Sequence, residues 1–422
     1  MSASTENPCN QAPRARVRLA YLVSHPIQYQ APLLRRIARE PEIDLTVLFG
    51  SDFSVRGYKD GGFGVEVLWD TPLLEGYGSE FLQPWRDVGG VSPTTPISRG
   101  LYRRLQNSDG SPAFDALWIH GYASVNSLQA IVAANALGIP VLLRAESWLA
   151  DRARSPRTLA AKSLFFRLLS RGIAAVLPIG TVNSHYWTHY FGSSVPQFLM
   201  PYAIDNQYFA QLAETAPLRE QELRTELGLA PQRPVILFAS KLQARKHADH
   251  LVEAYRNFIQ NRALADRPYL LMVGDGEQRA ALEARTLELG LADVRFAGFR
   301  NQSELPRFFQ LADVFVLPSR HEPWGLIVNE AMAAGCPVIV SSDVGSHVDL
   351  ITDGIEGCVF PVGDIQALSE ALQRVFDSAE TAARMGEAAR KRIRSWSFEE
   401  DVQGLRKALA YVTRKIGGCS LD

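Results

Sequence analysis

Short runs of consecutive apolar residues recur along the chain, each followed by a polar turn and then by apolar positions at helical spacing. Residues 19–23 and 43–49 are such runs, with a helical pattern over about 31–39 between them. An unbroken apolar run too short for its own helix reads as a strand buried on both faces, the situation of a parallel sheet. Residues 116–119, 141–144 and 174–178 continue the series. The stretch 50–112 interrupts it with Gly, Pro and aromatics, and predicts long connections over a sheet edge with some helix. The alternation restarts near residue 234: apolar runs at 235–238, 269–273, 294–296, 314–317 and 337–340, with a helix over about 247–261 after the first. Between the two series, 201–234 is polar and Glu-rich with Pro217, Pro231 and Pro234, and reads as a linker. The predicted fold class is α/β, two doubly wound parallel-sheet units in tandem. The predicted division is a lead-in over 1–17, a first domain over 18–204, a second over 205–395 and a closing segment over 396–422.

Length agrees with two cores, since 422 residues exceed what one ordinary domain holds. Lys and Arg number 44 against 45 Asp and Glu, which excludes a broadly basic nucleic-acid binder. The four cysteines, Cys9, Cys336, Cys358 and Cys419, form no C-x-x-C pair, so neither a disulfide framework nor a zinc site is expected and a reducing compartment fits. No apolar run approaches the roughly 20 residues that span a bilayer, and the lead-in lacks a signal core. A cytoplasmic protein is expected. One segment, 152–176, interleaves Arg and Lys with Leu and Phe, and reads equally as a membrane-surface helix or as a surface helix packed on the sheet.

Candidate chemistry concentrates where strands give way to helices. After the run at 314–317 comes Glu322-Pro-Trp324-Gly325-Leu326-Ile-Val-Asn-Glu330, two carboxylates eight residues apart, the second expected two turns along a helix on its exposed edge. Ligands of open α/β sheets bind in the crevice at the carboxyl ends of the strands. Backbone amides at Trp324, Gly325 and Leu326 are placed to receive an anion, while the carboxylates suit sugar hydroxyls. The pair therefore suggests a diphosphate flanked by hydroxyl-rich groups; a solvated helix start is the plain alternative. Lys241 and Lys246 lie in the loop after 235–238 and are candidate diphosphate cations, or else an exposed basic loop. Gly274 belongs to a G-x-G turn whose third glycine is replaced by Arg279, a weak signal for NAD and a better one for a tight turn near a phosphate or sugar. Phe299 and Arg300 follow the next strand, where backbone and guanidinium can flank a nucleobase.

Together these residues resemble the donor domain of family 4 retaining glycosyltransferases, with the two-Rossmann GT-B fold. The Glu322–Glu330 element is similar to the E-x7-E motif, and Gly335-Cys-Pro-Val-Ile and Asp353-Gly-Ile-Glu-Gly continue the likeness. The resemblance implies a nucleotide diphosphate sugar donor, transfer to an acceptor hydroxyl with retention, and a place in bacterial-type surface polysaccharide or glycolipid synthesis. It implies that Glu330 receives the donor ribose, Glu322 faces the donor sugar and Lys246 holds the diphosphate. Lys241 stands where the family has Arg, a point charge in place of a bidentate fork. In the first domain, the acceptor side, the resemblance places His120 over the donor sugar and makes His25 and Gln28 acceptor contacts. Arg144-Ala-Glu146-Ser, after another strand, is a further candidate, with an ordinary buried ion pair as the alternative. Residues 396–422 are expected to cross back to the first domain.

No Asp-x-Asp pair occurs to hold a divalent ion, so no metal or other cofactor is expected; Lys241 and Lys246 are available for the leaving charge. The expected partners are the donor and a glycan or lipid-linked acceptor, with membrane contact through 152–176 as an option, and no nucleic acid. A nucleotide-sugar epimerase on the same plan, a non-catalytic sugar-nucleotide binding module and an NAD oxidoreductase are the competing readings.

Overall fold

The computed structural model describes residues 16–86, 89–149, 155–214 and 216–417. Most of the lead-in, Cys9, Cys419 and the start of the basic segment therefore lie outside the described residues; Val17, counted with the lead-in, opens the first strand.

Fourteen strands are described. The first sheet contains β1 (Val17–Val23), β2 (Ile43–Phe49), β5 (Gly78–Phe81), β6 (Ala116–His120), β7 (Val141–Arg144) and β8 (Ala175–Val176), with β3 (Tyr58–Lys59) and β4 (Glu66–Val67) forming a separate antiparallel hairpin. The second contains β9 (Val235–Ala239), β10 (Tyr269–Val273), β11 (Val294–Gly298), β12 (Val314–Leu317), β13 (Val338–Ser341) and β14 (Gly357–Phe360). The strand orders are β5-β2-β1-β6-β7-β8 and β11-β10-β9-β12-β13-β14, all parallel. Both sheets grow outward in two directions from their first strand. Each thus has a switch point, beside β1 and β6 in one and beside β9 and β12 in the other, where successive helices leave on opposite faces and open a crevice.

The apolar runs are strands because both their faces are covered. Side chains of β9 alternate between two cores: Val235, Leu237 and Ala239 pack with Phe308, Phe309 and Met332, while Ile236 and Phe238 pack with Leu251, Tyr255 and Leu372. Burying each such side chain stabilises the fold by about 1.5–3 kcal/mol. The first sheet is sandwiched likewise, and one of its faces is completed from the far end of the sequence. Phe398, Val402, Leu405, Leu409 and Val412 of helix Phe398–Gly417 pack against Leu19, Tyr21 and Val47. A buried ion pair between Arg144 and Asp401, 3.1 Å long, fastens that helix to the end of β7.

Three expectations need correction. The stretch 50–112 holds a strand of the sheet, β5, on the far edge beside β2. Its sequence Gly-Ser-Glu-Phe is mostly exposed, so no apolar run announces it. The linker expected over 201–234 is largely helical, with helices Asn206–Glu214 and Ala216–Glu226, and Phe209, Leu223 and Leu229 belong to the second core. Helix Ile327–Ala333 is only seven residues long and begins after the motif's glycine, so Glu330 sits in its first turn and is buried rather than exposed.

Candidate functional site

The two switch points face each other across a cleft of about 350 Å³. From the second domain, Lys241 leaves the end of β9, and Arg245 and Lys246 lie on the short 3-10 turn that follows. Glu322 leaves the end of β12, and its Oε2 accepts hydrogen bonds from Lys246 Nζ and from Arg245 Nη1, the latter at 3.3 Å. Lys246 is only 7% exposed, and burial holds its ammonium below the ordinary lysine range while Glu322 pulls it back up. A cation that costs desolvation and is held by one carboxylate is ready to exchange that carboxylate for a more highly charged ligand.

Glu330 closes the same cleft from the short helix. Burial pushes its carboxyl up to about 7, with only Gln302 opposing the shift. Among the described residues no cation pairs with it, so it is suited to accept hydrogen bonds from neutral hydroxyls. Gly325 lines the cleft with φ +85°, and a Cβ there would meet Val344 Cγ1 at 3.0 Å and Leu317 Cδ2 at 3.2 Å, so only glycine lets the turn pass. Leu326, Phe299 and Arg300 complete this wall. The Arg300 guanidinium pairs with Glu226 at 2.9 Å and with Glu304 at 3.3 Å, which fixes it at the rim.

Across the cleft stand Gln28 and Tyr29, just before helix Ala31–Ile37. Tyr29 OH donates to Glu146 Oε1 at 3.0 Å, Tyr202 OH donates to the same oxygen, and His120 Nε2 stands 3.8 Å from it. Burial raises the Glu146 carboxyl, but His120 and the two hydroxyls outweigh it and hold it below the usual carboxylate range. His120 Nδ1 is buried without a hydrogen-bond partner among the described residues. His25 binds Ser24 Oγ through Nδ1 at 2.8 Å and lies 4.6 Å from the Phe53 ring; burial, helped by His120, pushes it down to about 4.

Gln28, Lys241, Lys246, Phe299, Arg300, Glu322, Gly325, Leu326 and Glu330 therefore line one cavity, and His25, His120 and Glu146 sit at the switch point of the first sheet, joined to it through Tyr29. Gly274 does not line that cavity, and Trp324, expected to contribute its backbone amide, sends its side chain elsewhere. The Trp324 side chain is turned into the core, stacked 5.5 Å from Trp396 with Nε1 donating to Asn329. Gly274, at φ +132°, is pressed against Ser240, whose carbonyl oxygen would lie 1.9 Å from an added Cβ; its task is a backbone crossing. Arg144, beside Glu146, forms the ordinary buried pair, with Asp401 as its partner.

Several cleft residues escaped the sequence reading: Arg245, Gln302, and from the irregular first-domain stretch Tyr58, Asp60, Phe63 and Trp69. Arg245 adjoins Lys246 and was visible as a third cation. Asp60, Phe63 and Trp69 carry no local signal, because the side chains they meet across the cleft, Lys241 and Phe299, are more than 170 residues away in sequence.

Residues 219–392 match the family described as "Glycosyl transferases group 1", less than half of the chain. Among curated proteins, 2-deoxystreptamine glucosyltransferase of Streptomyces kanamyceticus is 34% identical over 209 residues, 49% of this chain and 52% of that protein. GDP-mannose-dependent alpha-mannosyltransferase of Mycobacterium tuberculosis is 30% identical over 274 residues, 62% of this chain and 60% of that protein. The chain thus spans about half the length of the curated relatives it matches. Among solved structures, Anabaena HepE in complex with UDP superposes with a TM-score of 0.70 at 18% identity, covering 93% of this chain and 99% of that one. Sucrose-phosphate synthase from Thermosynechococcus elongatus gives 0.66 at 19% identity, covering 95% and 99%. The fold is the two-domain, Rossmann-like GT-B arrangement, and the sequence relationship of the second domain is to glycosyltransferases.

Proposed function

We propose that the chain transfers a sugar from a nucleoside diphosphate sugar to an acceptor hydroxyl, with retention at the anomeric carbon. One observation carries this reading: three cations and two carboxylates, Lys241, Arg245, Lys246, Glu322 and Glu330, converge on a single cleft that faces the first domain. The cations suit a diphosphate. Glu330, buried and paired with no cation among the described residues, suits the ribose hydroxyls, and Phe299 with Arg300 suits the base. The reading is supported by the solved structure of Anabaena HepE, a protein of this fold, in complex with UDP and glucose.

In the proposed step the bond from the anomeric carbon to the diphosphate oxygen breaks. The acceptor oxygen bonds to that carbon on the face the diphosphate leaves, and the acceptor proton passes to a departing phosphate oxygen. The barrier falls by positioning and by preorganised charge. Lys246 and Lys241 meet the charge growing on the leaving group. Glu322, holding Lys246 and Arg245, faces the donor sugar. His120, whose Nε2 is turned toward Glu146 and Tyr202, offers buried Nδ1 to a sugar hydroxyl. His25 and Gln28 border the acceptor side. With cations serving the leaving group, the reaction is proposed to need no metal.

The proposed setting is surface polysaccharide or glycolipid synthesis on the cytoplasmic side of a membrane. No helix of the described residues is long and apolar enough to cross one. Helix Pro156–Leu169 buries Phe166 and Leu169 and leaves Leu159, Leu164 and Leu168 45%, 58% and 56% exposed, with exposed Arg157 and Arg167 on the same helix. That composition fits contact with an anionic surface carrying a lipid-linked acceptor.

Calorimetry against a panel of nucleotide sugars, followed by transfer assays with the donor that binds, tests the reading. Wild type is expected to bind one donor and to turn it over only with acceptor, in excess chelator as well. Full transfer by the Glu322→Ala/Lys246→Ala variant removes the assignment. Interconversion of free donor without acceptor replaces it with an epimerase.

A further inference from the structure

The hairpin β3–β4 belongs to the first domain by sequence, yet its tip lies on the phosphate-side loop of the second. Asp60 Oδ1 and Oδ2 accept from Lys241 Nζ at 2.7 and 2.9 Å, and Oδ1 also accepts from the amides of Gly62 and Phe63 at 2.7 and 2.9 Å. Gly62 is flat against the lysine: a Cβ there would stand 2.6 Å from Lys241 Cδ. Phe63 meets the Phe299 ring edge-on at 4.8 Å, and Trp69 meets it at 6.4 Å. Lys241 Nζ lies 4.7 Å from the centre of the Phe63 ring. Beyond the hairpin, Asn301 Nδ2 donates to the Leu68 carbonyl at 2.8 Å, and Ser303 Oγ donates to Asp70.

We propose that this hairpin is part of the donor subsite: Asp60 is the anion that a diphosphate must displace from Lys241, and Phe63 and Trp69 wall the base compartment together with Phe299. The inference rests on the nucleotide-sugar reading above and adds residues of the opposite domain to it. The argument is electrostatic first. Asp60 is 8% exposed and is held by an ammonium and two amides, the set of donors that a phosphate oxygen also seeks. A carboxylate and a diphosphate cannot share Lys241 without strong repulsion. The diphosphate carries more charge and also reaches Arg245 and Lys246, so it prevails and Asp60 withdraws. A neutral nucleoside has nothing to exchange for that ion pair. The second argument is steric and apolar. Phe63, Trp69 and Phe299 line the same cavity as Glu330, so a base lying at Phe299 meets aromatic faces from both domains. The base-side grip is thereby made partly by the acceptor-side domain.

Isothermal calorimetry on the full chain tests this, with UDP, GDP, ADP and inorganic pyrophosphate as probes for wild type, Asp60→Asn and Phe63→Ala/Trp69→Ala. Asp60→Asn keeps an oxygen for the Gly62 and Phe63 amides and removes the charge. It is expected to bind pyrophosphate and the preferred nucleotide about fivefold more tightly. Phe63→Ala/Trp69→Ala is expected to bind the preferred nucleotide about tenfold more weakly and pyrophosphate unchanged. Unchanged or weaker binding by Asp60→Asn overturns the displacement, and undiminished nucleotide affinity in the aromatic variant overturns the shared wall. Should Asp60→Asn fail to fold, Asp60→Ser, which retains a hydroxyl acceptor, takes its place with the same expected outcome. Binding of none of the three nucleotides by folded wild type defeats the nucleotide-sugar reading itself. Binding by wild type with unaltered variants defeats only the role of the hairpin.

Discussion

Burial places the titration of the Glu330 carboxyl near neutral pH. With burial pushing it up to about 7, the folded state holds a proton there that the unfolded chain, with an ordinary glutamate, releases. On this group's account, stability falls as pH rises from the ordinary glutamate range through about 7. Ribose hydroxyls donating to the carboxylate favour the ionised form. Donor binding near neutral pH is therefore expected to release a proton, since a nucleotide sugar's diphosphate diester does not itself titrate there. Calorimetry in buffers of different ionisation enthalpy reads that proton directly, and Glu330→Gln should abolish it; a buffer-independent enthalpy in wild type refutes the assignment. Lys246 offers a second check. Lys246→Ala leaves Glu322 in a low-dielectric site with only Arg245, and is expected to cost roughly 3 kcal/mol in denaturant unfolding. Lys246→Ala/Glu322→Ala should cost less than the two single changes together, because each single change strands a charge. His120→Ala should lower turnover by at least about a hundredfold while donor affinity changes little, as expected of a group that acts on the transition state.

At the scale of elements, what the sequence disclosed depended on whether an element's reason to exist was local. The core strands were legible because parallel strands buried on both faces must be apolar throughout: β10, Tyr-Leu-Leu-Met-Val, is buried at every position. β5 was not legible, because an edge strand lying on a sheet needs backbone partners more than apolar side chains. Glu322 and Glu330 line one cleft, but not with the geometry their spacing suggests. The turn at Gly325 delays the helix, which moves Glu330 from an exposed second turn to a buried first one. The Trp324 side chain stacks on Trp396, 72 positions on, a contact beyond any local pattern. Asp60 was invisible for the same reason: the lysine that gives it meaning is 181 residues away. Element packing also yields a test. An added Cβ at Gly404 would lie 1.9 Å from the Leu199 carbonyl oxygen, so the closing helix touches the first domain's backbone there. Gly404→Ala is expected to destabilise the protein by about 2–4 kcal/mol, against the slight gain that alanine brings in a free helix. A melting temperature equal to wild type contradicts that packing.

For the whole molecule, the two domains are bridged by specific contacts as well as by chain connections. Asn329 Nδ2 donates to the Tyr202 carbonyl at 3.0 Å, and Thr181 binds Asp349 through both its amide and its hydroxyl, at 2.9 and 2.6 Å. The hairpin seated on Lys241 also spans the cleft, and on the proposed reading a donor is expected to enter as that bridge opens. Stopped-flow tryptophan fluorescence should then show an observed binding rate that levels off as nucleotide concentration rises. A rate that stays linear to high concentration excludes gating by the hairpin.

The return of helix Phe398–Gly417 to the first sheet has a consequence for how the protein is made. The second domain is continuous in the sequence and can finish its core as soon as it emerges from the ribosome. The first domain, although synthesised before the second, waits with the face formed by Leu19, Tyr21 and Val47 only partly covered, by helix Ala31–Ile37, until helix Phe398–Gly417 is released. Nascent chains stalled before Phe398 should therefore present a protease-resistant second half and a protease-sensitive first half, the reverse of the order of synthesis.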